Sequence, residues 1–330
     1  MPRTLTVAGE ILPLHTPFRI SRGVKTAAEV VTVAIVQEGV TGRGECVPYP
    51  RYGENAESTV FAIEAARGAI EQGVTRHELL QLMPAGAARN AVDCALWDLE
   101  LRLAGSSLAA AFDLQQPLRP IVTAMTVSLD TPDRMAAAAA ALADAPLLKV
   151  KVDRADPAAA LKAVRAAAPE PKMIVDPNES WTIAEVRDLQ GLMVDLSIDL
   201  LEQPLPADAD HDLIGFRSAI PIAADEAVHV AADLEALPDG YGVVNIKLDK
   251  TGGLTAALEL AEAARARGLG VMTGCMICSS LSIAPAWAIA ATSSFVDLDG
   301  PLWLAEDRDG GVSAAHGIMS PPRPGFWGGI

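Results

Sequence analysis

Apolar and polar positions alternate along the chain in two different grammars. In the first 120 or so residues, segments 5–14 and 30–37 alternate or run apolar and are rich in Val and Ile, which predicts strands of a meander. Thr41, Gly42, Arg43 and Gly44 read as a glycine-rich turn between the second strand and the Glu45-Cys-Val-Pro segment. Segments 57–72, 75–82 and 87–104 carry helical periodicity. Three strands followed by three helices predict an α+β domain.

From about Ile121 the pattern becomes strand, helix, strand, helix. Strands are predicted over 121–128, 147–152, 172–176, 199–202, 220–225, 242–248, 270–273 and 295–297, with helices such as 133–145, 157–168, 183–193 and 254–267 between them. Asp156 followed by Pro157 is a strong helix start, an N-cap acceptor before a residue whose φ is already helical. Eight strands with seven intervening helices predict a (β/α)₇β version of the eight-stranded barrel. An open doubly wound sheet would require a phosphate fingerprint such as GxGxxG after an early strand, and the sequence has none.

Charged residues recur at the C-terminal ends of these apolar strands: Lys151, Asp176, Glu202, Asp225 and Lys247, spaced 22 to 26 residues apart. Successive strand ends of a barrel open into one mouth, where the chemistry of such folds resides. One such charge is unremarkable; five in consecutive units are hard to account for as solvated loop residues.

Net charge is −16, from 42 acidic and 26 basic side chains, with no Lys/Arg-rich run. Such a surface repels nucleic acid and anionic lipid, so neither is an expected partner. The N-terminus lacks a long apolar segment with a small-residue cleavage site, and the Ala-rich 135–145 stretch is too short to span a bilayer, so the chain reads as cytoplasmic. Cys46, Cys94, Cys275 and Cys278 are then expected as reduced thiols. Cys275 and Cys278 could form half a zinc site or a redox pair, but no second Cys or His pair supplies the remaining ligands. The five histidines show no metal spacing, and Ser279 and Ser280 lack a His/Asp partner pattern.

Asp176, Glu202 and Asp225 are hard oxygen donors that would repel one another at a shared point unless a cation lay between them, which favours Mg²⁺ over Zn²⁺, with Mn²⁺ as a substitute. Lys149 and Lys151 flank Val150 and so face the same side of their strand, towards the barrel interior. Lys247 stands across the mouth. A substrate carbon between them would meet one amine on each face, an arrangement suited to 1,1-proton transfer beside a carboxylate. Charge on the resulting enediolate would be stabilised by Mg²⁺ and a nearby ammonium. Crowding of cations and the metal's own charge should lower the lysine pKa values towards the working range. Two facing lysines allow inversion, hence racemisation or epimerisation.

These residues resemble the enolase superfamily, muconate-lactonising or mandelate-racemase-like group. Within it the chain is similar to the dipeptide epimerases that act on L-Ala-D/L-Glu. The resemblance spans essentially the whole chain and is carried by PLHTPFRISRG, GRGECVPYPRYGE, MPAGAARNAVDCALWDLE, LLKVKVD, IVDPNESW, LLEQPLP, ADEAVH, VNIKLDKTGG, GCMICSS and FVDLDGP. It implies an α+β capping domain of residues 1–118, completed by the tail at about 302–330, over a catalytic (β/α)₇β barrel of residues 119–301. It implies Asp176, Glu202 and Asp225 as ligands of one Mg²⁺, and Lys151 and Lys247 as the acid/base pair. Lys149 would contact the substrate carboxylate, Thr126 and the Cys275 backbone would line the substrate, and Asn178 would support the ligands from behind. Asp297 and Asp299 would hold the free α-ammonium of a dipeptide. A cap loop at 19–26 should supply a basic residue for a glutamate side chain, with Arg22 and Lys25 as candidates.

The implied function is epimerisation of L-Ala-D-Glu to L-Ala-L-Glu in recycling of cell-wall peptide. Other preferences remain open: a dipeptide epimerase of different specificity, N-succinylamino acid racemase, o-succinylbenzoate synthase and muconate cycloisomerase share the lysines and ligands, while the D-x-D of Asp297 and Asp299 favours a dipeptide. A non-catalytic metal-binding barrel is the alternative of another class. Whether the chain is a monomer or a homo-oligomer is left open.

Overall fold

The computed structural model describes residues 3–329. Strands β1 (Thr4–Ile20), β2 (Gly23–Gln37) and β3 (Val40–Cys46) form an antiparallel sheet in the order β1-β2-β3. Helices α1 (Ala56–Glu71) and α3 (Ala87–Leu103) pack on it, and α2 (Arg76–Leu82) packs against α3. Asn55 and Thr75 close capping boxes that start α1 and α2, satisfying backbone N–H groups that would otherwise be orphaned. Val31, Val33 and Ile35 of β2 meet Ile63, Leu96 and Leu99 in a core of their own.

The segment from Thr41 to Gly44 is not a turn; it lies inside β3, and the chain reverses at Glu38 and Gly39, both with positive φ. The glycines serve close approach instead. A Cβ on Gly44 would stand 2.1 Å from the Ala91 carbonyl oxygen, and one on Gly42 2.2 Å from that of Ala95. The sheet therefore lies directly on the backbone of α3. Gly44→Ala is expected to lower stability by about 3 kcal/mol, read as a lower urea midpoint of unfolding.

After a single turn α4 (Leu108–Ala111), the short strand β4 (Ile121–Val122) leads to the barrel. The predicted 121–128 strand is split: β4 pairs with a C-terminal hairpin, β13 (Ser313–Ala315) and β14 (Ile318–Ser320), and only β5 (Met125–Val127) joins the barrel. Seven parallel strands follow: β6 (Leu147–Lys151), β7 (Lys172–Asp176), β8 (Leu200–Glu202), β9 (Ile222–Ala224), β10 (Val243–Ile246), β11 (Gly270–Gly274) and β12 (Phe295–Asp297). The eight lie in sequence order, and the ring closes where Ala124 N–H donates to the Val296 carbonyl at 2.8 Å and Leu298 N–H to Thr123 Oγ1 at 2.9 Å.

Helices α5 (Pro132–Ala141), α6 (Pro157–Ala167), α7 (Ile183–Asp195) and α9 (Leu254–Ala266), preceded by the single turn α8 (Leu248–Thr251), cover the outside. Asp156 caps α6 by accepting from Ala159 N–H, as its place before Pro157 predicts. Two of the seven expected helices are reduced to 3₁₀ turns, Asp210–Leu213 and Ala231–Glu235. No described helix is long and apolar enough to cross a membrane. The tail returns to the first domain, where Gly328 N–H donates to Asp98 and Trp327 Nε1–H to the Arg43 carbonyl.

Strand alternation positions the site. Leu147, Ile174, Leu200, Ala223, Val243 and Met272, with Ala124, make an apolar layer inside the barrel. Two residues further along their strands stand Lys149, Asp176, Glu202, Asp225 and Asn245, and then Lys151 and Lys247. The intervening Leu148 and Val150 face outward and join a cluster with Leu161 and Val164 of α6. One period-two pattern thus floors the barrel with hydrocarbon and fills its C-terminal end with charge.

Candidate active site

Lys149, Lys151, Lys247, Asn178, Thr126, Cys275, Asp297, Asp299, Arg22 and Lys25 all line one cavity at that end, beneath the β1–β2 hairpin. Asp176, Glu202 and Asp225 form its buried floor. Lys149 Nζ lies 2.7 Å from Glu202 Oε2, 2.8 Å from Asp297 Oδ2 and 3.1 Å from Asp176 Oδ2. Lys151 Nζ stands 2.5 Å from Asp176 Oδ2, and Lys247 Nζ 2.7 Å from Asp225 Oδ2. Asn178 donates its backbone N–H and its amide to Asp176, while Asn245 Nδ2 donates to Glu202 at 2.9 Å.

Burial and opposing charges displace the titration of several of these groups. Burial would raise the Asp176 carboxyl, but the ammonium groups of Lys151 and Lys149 outweigh it and hold the group at about 2. Burial, reinforced by repulsion from Asp176, pushes Glu202 up to about 7. Burial would likewise lower Lys149 and Lys247, yet the carboxylates beside them raise both above the ordinary amine range. The expected lowering of the lysines rested on the charge of a bound metal as well as on their mutual crowding, and each ammonium here stands against carboxylates.

The donor set fits a hard divalent cation. It is all carboxylate oxygen, and the buried Glu202 Oε2 and Asp225 Oδ1 have no aligned hydrogen bond, only the ammonium charges of Lys149 and Lys250 at 2.7 Å each. Among the described residues no three acidic, His or Cys side chains already form a closed ligand cage, because the Lys149 ammonium stands between Asp176 and Glu202.

The wall near β12 is acidic. Asp299 Oδ2 accepts from Thr126 N–H at 2.9 Å, and burial next to Asp297 raises Asp299 to about 6. Asp297 Oδ1 is buried and receives no hydrogen bond. The expected loop at 19–26 is the tip of a hairpin, with Ile20 and Gly23 still paired. Arg22 and Lys25 differ there. Arg22 is ion-paired to Glu226 at 2.8 Å and Glu179 at 3.0 Å, whereas Lys25 stacks its ammonium on the Tyr49 ring, 4.5 Å from the centroid. Burial lowers the Lys25 pKa.

Sequence reasoning missed several residues here. Lys250 is fully buried, donating to the Val228 and Asn245 carbonyls at 3.0 and 2.9 Å and pairing with Asp225 Oδ1 at 2.7 Å. It lies beyond the strand, so alternation carried no signal for it. Asn245 had one, two residues before Lys247 on the same strand face. Glu226 and Tyr52, which also line the cavity, had only proximity in sequence to motif residues.

Residues 2–114 match the model of the mandelate racemase / muconate lactonizing enzyme N-terminal domain, and residues 134–326 that of the enolase C-terminal domain-like family. An L-Ala-D/L-Glu epimerase of Escherichia coli K12 is 49% identical over 96% of this chain and 99% of its own. An N-acetyl-D-glutamate racemase of a Pseudoalteromonas species is 42% identical over 91% of this chain and 95% of its own. A crystal structure of an enolase family member from Agrobacterium tumefaciens, with homology to dipeptide epimerases and with sodium and L-Ala-L-Glu bound, superposes with a TM-score of 0.96 at 50% identity, covering 99% of this chain and all of its own. Matching in both domains, in barrel topology and at about half of all positions, the chain belongs to the mandelate racemase / muconate lactonizing enzyme family of the enolase superfamily.

Proposed function

We propose that the chain is an isomerase, a dipeptide epimerase that interconverts L-Ala-D-Glu and L-Ala-L-Glu with one Mg²⁺ held by Asp176, Glu202 and Asp225. The observation that carries this reading is the opening of Lys151 and Lys247, from strands β6 and the end of β10, into one cavity floored by three carboxylates. One lysine takes the α-proton of the glutamate residue and the other returns a proton to the opposite face. Lys149 donates to the substrate carboxylate and stabilises the charge that develops there. Bound Mg²⁺ supplies Lewis-acid stabilisation of the same charge. Asn178 and Asn245 orient the carboxylates, and Thr126 and Cys275 line the substrate.

Asp297 and Asp299 receive the free α-ammonium of the alanine residue; the unpartnered Asp297 Oδ1 supports this. An N-acyl amino acid carries no such cation, so the dipeptide is favoured over the substrate of the racemase relative. Lys25 takes the distal carboxylate of glutamate. Residues 1–118 with the tail at about 302–330 act as the cap and residues 119–301 as the catalytic barrel. The protein works in the cytoplasm, where the L,L product is open to ordinary peptidases, a place in recycling of cell-wall peptide.

Incubation with L-Ala-L-Glu and Mg²⁺ in D₂O, followed by NMR, tests this. The glutamate α-hydrogen signal should wash out as the L,D diastereomer appears, with N-acetylglutamate exchanging far more slowly. Faster exchange of N-acetylglutamate would overturn the dipeptide assignment. Lys25→Ala should raise KM for L-Ala-L-Glu about tenfold or more, the worth of a charge-assisted hydrogen bond, with little change for L-Ala-L-Leu.

A further inference from the structure

We infer that Arg22 is a positioning residue that locks the β1–β2 hairpin onto the mouth of the barrel through Glu226 and the Asn178–Glu179 turn, and that it does not bind the substrate's distal carboxylate. Both terminal nitrogens of its guanidinium are already engaged. Nη2 pairs with Glu226 Oε1 at 2.8 Å, while Nη1 pairs with Glu179 Oε2 at 3.0 Å and donates to the Asn178 carbonyl at 3.2 Å. Ser21, next to it at the hairpin tip, donates its hydroxyl to the same carbonyl at 3.2 Å. The two barrel carboxylates are nearly inaccessible, with side chains 2% and 7% exposed, against 27% for Arg22. Charges so placed need their counter-ion, and a guanidinium whose two Nη groups meet both has only its Nε–H left, with no fork for a third carboxylate.

The partners stand at informative places. Glu226 directly follows Asp225, and Asn178 and Glu179 follow Asp176 by two and three residues. Asn178 and Glu179 both hold left-handed backbone conformations, φ 48° and 65°, which Asn tolerates but Glu rarely adopts unless its surroundings impose it. Arg51, on the segment after β3, grips Glu179 from the other side with two hydrogen bonds of 2.8 Å. The cap thus holds, from two of its loops, the turn that follows one floor carboxylate, and with Arg22 the residue beside another. Closing the hairpin and setting the floor are one event in this geometry. Lys25, three residues on, is carried to its place over the cavity by the same clasp.

The kinetic part of this inference rests on the epimerase reading; the structural part does not. Arg22→Gln, Arg22→Lys, Glu226→Gln and the double variant Arg22→Gln/Glu226→Gln should be compared with the full-length wild type. Hydrogen–deuterium exchange would be followed over peptides covering residues 18–27 and 176–182, together with kcat and KM. Arg22→Gln should speed exchange in both segments at least tenfold and raise KM about tenfold for L-Ala-L-Glu and L-Ala-L-Leu alike, with a smaller change in kcat. Arg22→Lys should recover part of this, since an ammonium can serve one carboxylate but not fork between two. Residues acting as one unit should not add, so the double variant should be no worse than the poorer single. Unchanged exchange at both segments, or a KM rise confined to the glutamate dipeptide, would overturn the inference and make Arg22 a substrate ligand. Absence of turnover in the wild type would sink the epimerase reading while leaving the exchange result to decide on the clasp.

Discussion

Lys151→Ala and Lys247→Ala should each reduce kcat for epimerisation by about 10³-fold, the usual worth of a positioned acid or base. Each variant nonetheless keeps half of the chemistry. With one lysine left, a proton can be removed from, and returned to, one face only, so the variant exchanges the α-hydrogen of one diastereomer without inverting it. The two variants should select opposite diastereomers: the one that washes out L-Ala-L-Glu in D₂O should leave L-Ala-D-Glu untouched, and the other the reverse. The geometry gives the reason. Lys151 is placed by β6 beside Asp176, and Lys247 by the end of β10 beside Asp225, so neither can reach round the substrate to serve the other face. Exchange of the same diastereomer by both variants would place the lysines on one side and remove the basis for inversion. Lys149→Ala should differ in kind, slowing exchange from both diastereomers together, because its ammonium meets Asp176, Glu202 and Asp297 at the middle of the floor.

How far such a site can be read from sequence depends on whether local rules decide each residue's place. Alternation on one short strand placed Lys149 and Lys151 inside the barrel, because a one-residue slip would have exchanged them for Leu148 and Val150. The recurrence of Asp176, Glu202 and Asp225 at strand ends followed from barrel geometry in the same way. Gly42 and Gly44 were misread because a glycine required for close packing on a helix has the same letters as one required for a turn; only the approach of α3 distinguishes them. The connections at 210–213 and 231–235 are 3₁₀ turns, because the number of strands fixes how many connections a barrel has and not their conformation. Lys250 carried no signal, since three backbone carbonyls gathered from Asp225, Val228 and Asn245 are invisible until the chain is folded. Arg22 and Lys25 have equal standing as hairpin cations in the sequence; Glu226 and Glu179, about 200 and 160 residues away, separate their roles. Long-range ion pairing was the part that local pattern could not supply.

Treatment with EDTA is expected to abolish turnover, by 10³-fold or more, and Mg²⁺ and then Mn²⁺ to restore it, because three buried carboxylates offer hard oxygen donors and no nitrogen or sulfur. Activity alone would not locate the ion, so stability supplies the second readout. A ligand that binds only the folded chain stabilises it by RT ln(1 + [L]/Kd), about 2.7 kcal/mol at a hundredfold excess over Kd, and so should raise the melting temperature of the EDTA-treated protein. Glu202→Gln should lose both responses: its Oε2, held only by the Lys149 ammonium at 2.7 Å, is one of the donors, and an amide cannot replace a carboxylate charge beside Mg²⁺. Lys151→Ala should lose activity yet keep the Mg²⁺-dependent rise in melting temperature, since Nζ is a counter-ion of Asp176 and no ligand. That pair of results would separate a working metal site from a barrel whose carboxylates are merely neutralised by its own lysines. If Mg²⁺ leaves the melting temperature of the wild type unchanged, the ion pairs of Lys149, Lys151 and Lys247 are the resting state of the floor, and catalysis must proceed on ammonium stabilisation alone.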